Sequence, residues 1–104
     1  MKKFKCTVTR EDEYVIELDE KILDKAWMEW FKKYFYDFDD LQEHAEYIAQ
    51  YAARFGSDFI EGYGIPLRNG ERPIFVSEDK VLNKAININV ITEDGYCEVD
   101  VEEI

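Results

Sequence analysis

Phe4, Cys6 and Val8 alternate with Lys3, Lys5, Thr7 and Thr9 at the start of the chain. A period of two predicts a strand with one apolar face. Glu11-Asp12-Glu13 interrupts the run as a polar turn, and Tyr14, Ile16 and Leu18 then alternate with Val15, Glu17 and Asp19. The two runs predict an antiparallel hairpin. Near Asp19 the period lengthens to about 3.6. Leu23, Ala26, Trp27, Trp30, Phe31, Tyr34 and Phe35 then mark a helix through Tyr36, with Asp19 as its N-cap. A second helix follows from Asp40 as N-cap, with Glu43 at the third helical position in an approximate capping box. Leu41, Ala45, Ile48, Ala52 and Phe55 form its core stripe, and Gly56 supplies the stop.

Residues 57–76 hold no clean period. Asn69-Gly70 signals a turn, Ile74-Phe75-Val76 reads as a short strand or a buried crossing, and Ser77-Glu78-Asp79-Lys80 starts a single helical turn. The chain closes on Ile86, Ile88 and Val90 alternating with Asn87, Asn89 and Ile91. A turn at Glu93-Asp94-Gly95 follows, and Cys97, Val99 and Val101 then alternate with Glu98, Asp100 and Glu102. This is a second hairpin. The fold class expected is α+β: one domain over residues 1–104, with an antiparallel or mixed sheet of about four strands, from N-terminal and C-terminal hairpins, packed on two helices.

Composition supports a folded core, since 46% of the 104 residues are hydrophobic and 15% aromatic. Charge changes the picture more. Acids outnumber bases 24 to 13, for a net charge of −11. Such a field repels nucleic acid and anionic membranes and favours basic protein surfaces, including the clefts of nucleic-acid enzymes. Its simplest role is solubility. The acids come in three blocks without a base: six in residues 11–20, five in residues 37–46 and six in the last twelve residues. The strand pattern turns Glu17, Asp19, Glu98, Asp100 and Glu102 away from the helices, and Asp37, Asp39, Asp40 and Glu43 cluster at the start of the second helix. No apolar run is long enough to cross a bilayer and no signal peptide is evident, so the cytoplasm is the expected location.

Candidate chemistry is sparse. His44 is the only histidine, and a general base or a zinc site needs partners for it; a surface or half-buried structural role is expected. Cys6 and Cys97 lack Cys-x-x-Cys spacing and fall on the apolar strand phase, so core filling is expected, a bridge between them being the less favoured alternative. No stretch forms a calcium loop. Paired carboxylates for glycoside hydrolysis would need a sugar cleft that a chain of this size does not suggest. The glycines of Glu61-Gly62-Tyr63-Gly64 match no phosphate-binding pattern and mark a tight bend. Phe59, Tyr63 and Ile65 around them either anchor an exposed contact loop or pack over the helix ends. Trp27, Trp30, Tyr34, Tyr47 and Tyr51 are mostly core at helical spacing, with some rings left to line a partner or homodimer surface. No cofactor or metal is expected, and no catalytic residue stands out.

The opening Lys3–Glu20 stretch, through the Phe59-Ile60-Glu61-Gly62-Tyr63-Gly64 segment, resembles small acidic proteins of bacterial phages and conjugative elements. The resemblance implies a strand hairpin before an aromatic, acidic helix pair. Some proteins of that group inhibit host defence nucleases, including CRISPR and restriction systems, by mimicking nucleic acid. No shared motif carries a residue's role across. The expectation is thus a non-catalytic, acidic protein-binding domain: an inhibitor or accessory factor that blocks a basic nucleic-acid-binding surface. The alternative is a structural or homodimerising domain.

Overall fold

The computed structural model describes residues 1–93 and 97–104, and Cys97 by its backbone alone. The expected turn at Asp94-Gly95 therefore lies outside the described residues. The order is β1 (Phe4–Arg10), β2 (Glu13–Leu18), α1 (Lys25–Tyr34), α2 (Leu41–Phe55), β3 (Pro66–Arg68), β4 (Asn83–Thr92) and β5 (Cys97–Glu103). The class is α+β as expected, but the strands form two sheets: β1 with β5, and β2–β4–β3 with β3 parallel to β4.

Neither expected hairpin forms. β1 pairs antiparallel with β5, with Cys6 opposite Val101 and Val8 opposite Val99, and β2 pairs antiparallel with β4, with Ile16 opposite Ile88. β1 and β2 thus pair in succession with β5 and β4. At the first expected hairpin the reason is local. A two-residue reversal needs residues at positive φ, and among the described non-glycine residues only Asn69 takes one. Glu11 and Asp12 therefore redirect the strand without reversing it. Asn69-Gly70 does make the tight turn expected of it, at φ 53° and 80°, closing Arg68 onto Glu71.

α1 starts later than its period suggests. Asp24, not Asp19, is the N-cap, accepting from the Trp27 amide at 2.9 Å. Asp19 instead accepts from the Lys21 amide in a local turn. The helix ends at Tyr34, with Phe35 as its C-cap. α2 follows its sequence signals. Asp40 caps it through the Glu43 amide at 2.9 Å, and Gly56 closes it in the left-handed conformation at φ 58°. Its buried stripe is His44, Ile48 and Ala52, whereas Phe55 is exposed.

The core joins both helices to the inner face of the three-stranded sheet. Phe31, Ile48, Ile60 and Ile86 are fully buried, and Tyr14, Ile16, Leu18 and Val90 pack against them. The inward and outward phases expected for β2 and β4 are those observed. The segment after α2 is sealed by Gly62. A Cβ there would lie 2.6 Å from a Phe31 ring carbon, and its φ is 90°, so only glycine fits the bend.

The β1–β5 ribbon has no such cover. Every β1 residue is exposed, and neither strand packs extensively on a helix or on the other sheet. The molecule measures 58 × 32 × 21 Å with a radius of gyration of 17.4 Å, against about 13 Å for a compact chain of this length. The ribbon is an arm. Cys6 is accordingly exposed and not buried, because its strand face meets no helix. Cys97 lies opposite Arg10, four strand positions from Cys6's partner. That is about 13 Å along the strand, too far for a bridge. Ile74-Phe75-Val76 is neither a strand nor a buried crossing: Ile74 and Phe75 are 92% and 93% exposed at a turn closed by the Val76 amide on the Pro73 carbonyl.

Candidate functional site

The three acid blocks occupy different parts of the molecule. Glu17 lies on the outer sheet face, where the side-chain amides of Asn87 and Asn89 donate to it. Asp19 is exposed beside it at the strand end and serves its local turn. Asp37 and Asp39 share the Lys32 ammonium at 3.2 and 2.7 Å, which holds the lysine above its usual range through those hydrogen bonds. Asp40 is spent on capping α2. Glu98, Asp100 and Glu102 stand on one face of the arm, opposite Thr9, Thr7 and Lys5. They are not on the same sheet as Glu17, because β5 pairs with β1 and β4 with β2.

The 37–46 block borders two concave surfaces. A groove of about 480 Å³ runs beside α1, with Leu23, Met28 and Phe38 in its apolar lining and Glu20, Glu29 and Asp39 in its polar lining. A second, of about 410 Å³, is lined by Phe38, Glu43, Glu46, Tyr47 and Gln50. Lys25 and Lys32 also line the first groove, and Lys32 already pairs with Asp39 there; only the second is lined by acids without a base, with Phe38 beside them for the stem of a Lys or Arg side chain. Among the described residues no three His, Cys, Asp or Glu side chains gather in a group able to hold a metal ion.

Of the aromatic loop, only Phe59 is exposed; Ile65 is half-buried and Tyr63 is buried. Tyr63 is drawn in because its hydroxyl meets His44 Nδ1 at 2.7 Å and its carbonyl accepts from the Asn83 side chain at 2.7 Å. His44 is itself fully buried, not a surface group. It shares one helix stripe with Ile48 and Ala52, and its ring lies about 5 Å from those of Trp27, Phe31 and Phe38. Nε2 has no hydrogen-bond partner among the described residues. We assign the neutral tautomer with the proton on Nε2, facing aromatic rings, and Tyr63 donating to Nδ1. Burial lowers the histidine's pKa, partly opposed by Asp40, and raises that of the Tyr63 phenol. The rings of Tyr36, Tyr47 and Tyr51 extend the cluster outward. The Tyr47 phenol is pushed up to about 12 by its hydrogen bond with Tyr36 and by burial. Trp30 and Tyr34 lie outside, exposed on α1.

Two features escape sequence reasoning. The Ile74-Phe75 tip is braced by Arg72, whose guanidinium donates to the Ser77 and Lys80 carbonyls at 2.8 and 2.9 Å. Its apolar run looks like core in a sequence, and only the lone Pro73 hinted at a turn. The arm's apolar face carries the same alternation as a covered strand, so no local signal marks it as uncovered.

No family model matches the chain, and neither a curated protein nor a solved structure matches it. Among the described residues no helix is long and apolar enough to cross a membrane.

Proposed function

We propose that this protein is a non-catalytic binding domain whose acidic body engages a basic, nucleic-acid-binding surface of another protein. The carrying observation is where the charge lies. Residues 1–10 and 97–104, which make up the arm, hold four bases and four acids. The remaining residues hold nine bases and twenty acids. The whole net charge of −11 therefore lies outside the arm. Long-range attraction of a basic partner would speed association and orient it toward the body.

Within the nine candidate acids this favours Asp37, Asp39 and Glu43 over Glu98, Asp100 and Glu102, which stand beside a basic strand. Asp40 and Glu17 contribute charge while holding structure. The groove lined by Phe38, Glu43 and Glu46 offers a seat for a basic side chain. An inhibitor or accessory role in a mobile element, in the cytoplasm of its host, accords with the sequence resemblance, which is its only support.

The test is affinity capture from the native host at low and high salt, with competing DNA. Wild-type protein should retain a salt-sensitive partner that DNA displaces. Charge reversal at Asp37, Asp39, Glu43 and Glu46 should release it, and reversal at Glu98, Asp100 and Glu102 should weaken it less. Capture indifferent to salt and to both sets of substitutions would sink the reading.

A further inference from the structure

We propose that Asn69 is a site of self-modification, at which the Gly70 backbone nitrogen displaces the side-chain amide, and that the fold holds this reaction off by placing the Asn87 side-chain oxygen on the path of attack. This is independent of the acidic-body reading. Asn69-Gly70 is the one Asn-Gly pair in the sequence, and both residues are exposed to water. Glycine carries no side chain, so nothing on the following residue hinders ring closure. In the reaction the Gly70 nitrogen forms a bond to Asn69 Cγ, the Cγ–Nδ2 bond breaks, and the proton of the Gly70 amide leaves with Nδ2 as ammonia. The product is a cyclic imide. Water then opens the ring at either carbonyl, to aspartate or to isoaspartate, in which the main chain runs through the side chain.

The folded turn blocks ring closure for a geometric reason. A peptide nitrogen is planar, and in the imide the new bond to Cγ takes the direction that the N–H bond held. That direction is filled: the Gly70 amide donates to Asn87 Oδ1 at 2.9 Å. Asn69 is tied to β4 by both its ends. Its Oδ1 accepts from the Val90 amide at 2.9 Å, and its own amide donates to the Ile88 carbonyl at 2.9 Å. Asn87 is fixed in turn, because its Nδ2 donates to Glu17 of β2 at 3.0 Å and to Asn89 Oδ1 at 3.1 Å. A carboxylate only accepts, so Nδ2 must face Glu17, which leaves Oδ1 to face Gly70. Glu17 is thereby a positioning residue, and the lock spans β2, β4 and the turn that follows β3. Reaction requires the turn to leave β4, which is a local opening. Isoaspartate adds a main-chain atom between Arg68 and Glu71, whose mutual backbone hydrogen bonds close the turn, so conversion leaves a lasting record of that opening.

Incubation of the full chain in mildly alkaline buffer tests the proposal, with conversion read as the mass gained by the peptide that carries Asn69. The folded wild type should convert at least about tenfold more slowly than the same chain in urea, since reaction awaits opening. Asn87→Ala clears the path; it should raise the folded rate several-fold toward the urea rate and leave the urea rate unchanged. Circular dichroism shows which chains are folded. Should Asn87→Ala not fold, Glu17→Ala takes its place: freed of the carboxylate, the Asn87 amide can turn, and the folded rate should rise. A folded wild type that converts as fast as in urea, an unfolded chain that does not convert, or a folded variant as slow as the wild type would each overturn the proposal.

Discussion

β1 and β2 carry the same alternation of apolar and polar residues, yet one is a bare arm and the other a wall of the core. Tyr14, Ile16 and Leu18 meet the aromatic cluster of α1 and α2, while Phe4, Cys6 and Val8 meet solvent. A period of two defines a face. Whether that face is buried depends on what the chain brings to it: α2 packs on β2, and the shared core draws in Phe31 of α1 and Ile86 and Ile88 of β4. The arm and the rest of the chain also divide the electrostatics, since the net charge lies outside the arm. Stability should therefore reside in the body and be nearly insensitive to the arm in dilute solution.

The strongest way to break this comparison is at its dense end. Phe31→Ala should cost about 3–5 kcal/mol in urea unfolding, because the ring is fully buried and touches Phe35, Phe38, His44 and Tyr63. A loss below about 1 kcal/mol would mean that the aromatic centre does not hold the fold.

Next in size is the pH dependence of the same centre. The folded-state pKa of His44 lies below its ordinary value of 6.5, so the unfolded chain binds a proton that the folded chain does not. Stability from this group is complete above pH 6.5 and falls as pH drops toward the folded value, by up to about 1.4 kcal/mol per pH unit. His44→Gln retains an acceptor for the Tyr63 hydroxyl and should flatten this slope between pH 5 and 7 in repeated urea titrations. An unchanged slope would assign the effect to other groups.

Asp40→Ala should cost about 1 kcal/mol through loss of the α2 cap, with helix loss visible by circular dichroism on heating. Smallest is Val8→Ala in the arm, expected within about 0.5 kcal/mol at low micromolar protein. A larger loss would show the arm to be part of the folding core and erase the contrast.

Much was legible locally. The caps at Asp40 and Gly56, the Asn69-Gly70 turn and the inward phases of β2 and β4 each rest on interactions within a few residues. Such short-range chemistry leaves a mark in the residue order. The start of α1 was misplaced because Asp19 and Asp24 are both competent caps, and the competing local turn at Asp19 took the first. The candidate acids were all identifiable, but their grouping was not, since the pairing of β5 with β1 separates Glu98, Asp100 and Glu102 from Glu17.

By itself, then, the order of residues determined the class of fold, the faces of the strands, the ends of α2 and the acidic character of the molecule. Tertiary structure alone decided that the terminal strands pair with each other as an arm, that His44 lies inside the aromatic cluster, and that Ile74 and Phe75 lie outside it. Strand partnership and burial depend on contacts between residues far apart in the chain. Periodicity says which way a side chain points, and only the packed molecule says what it meets there.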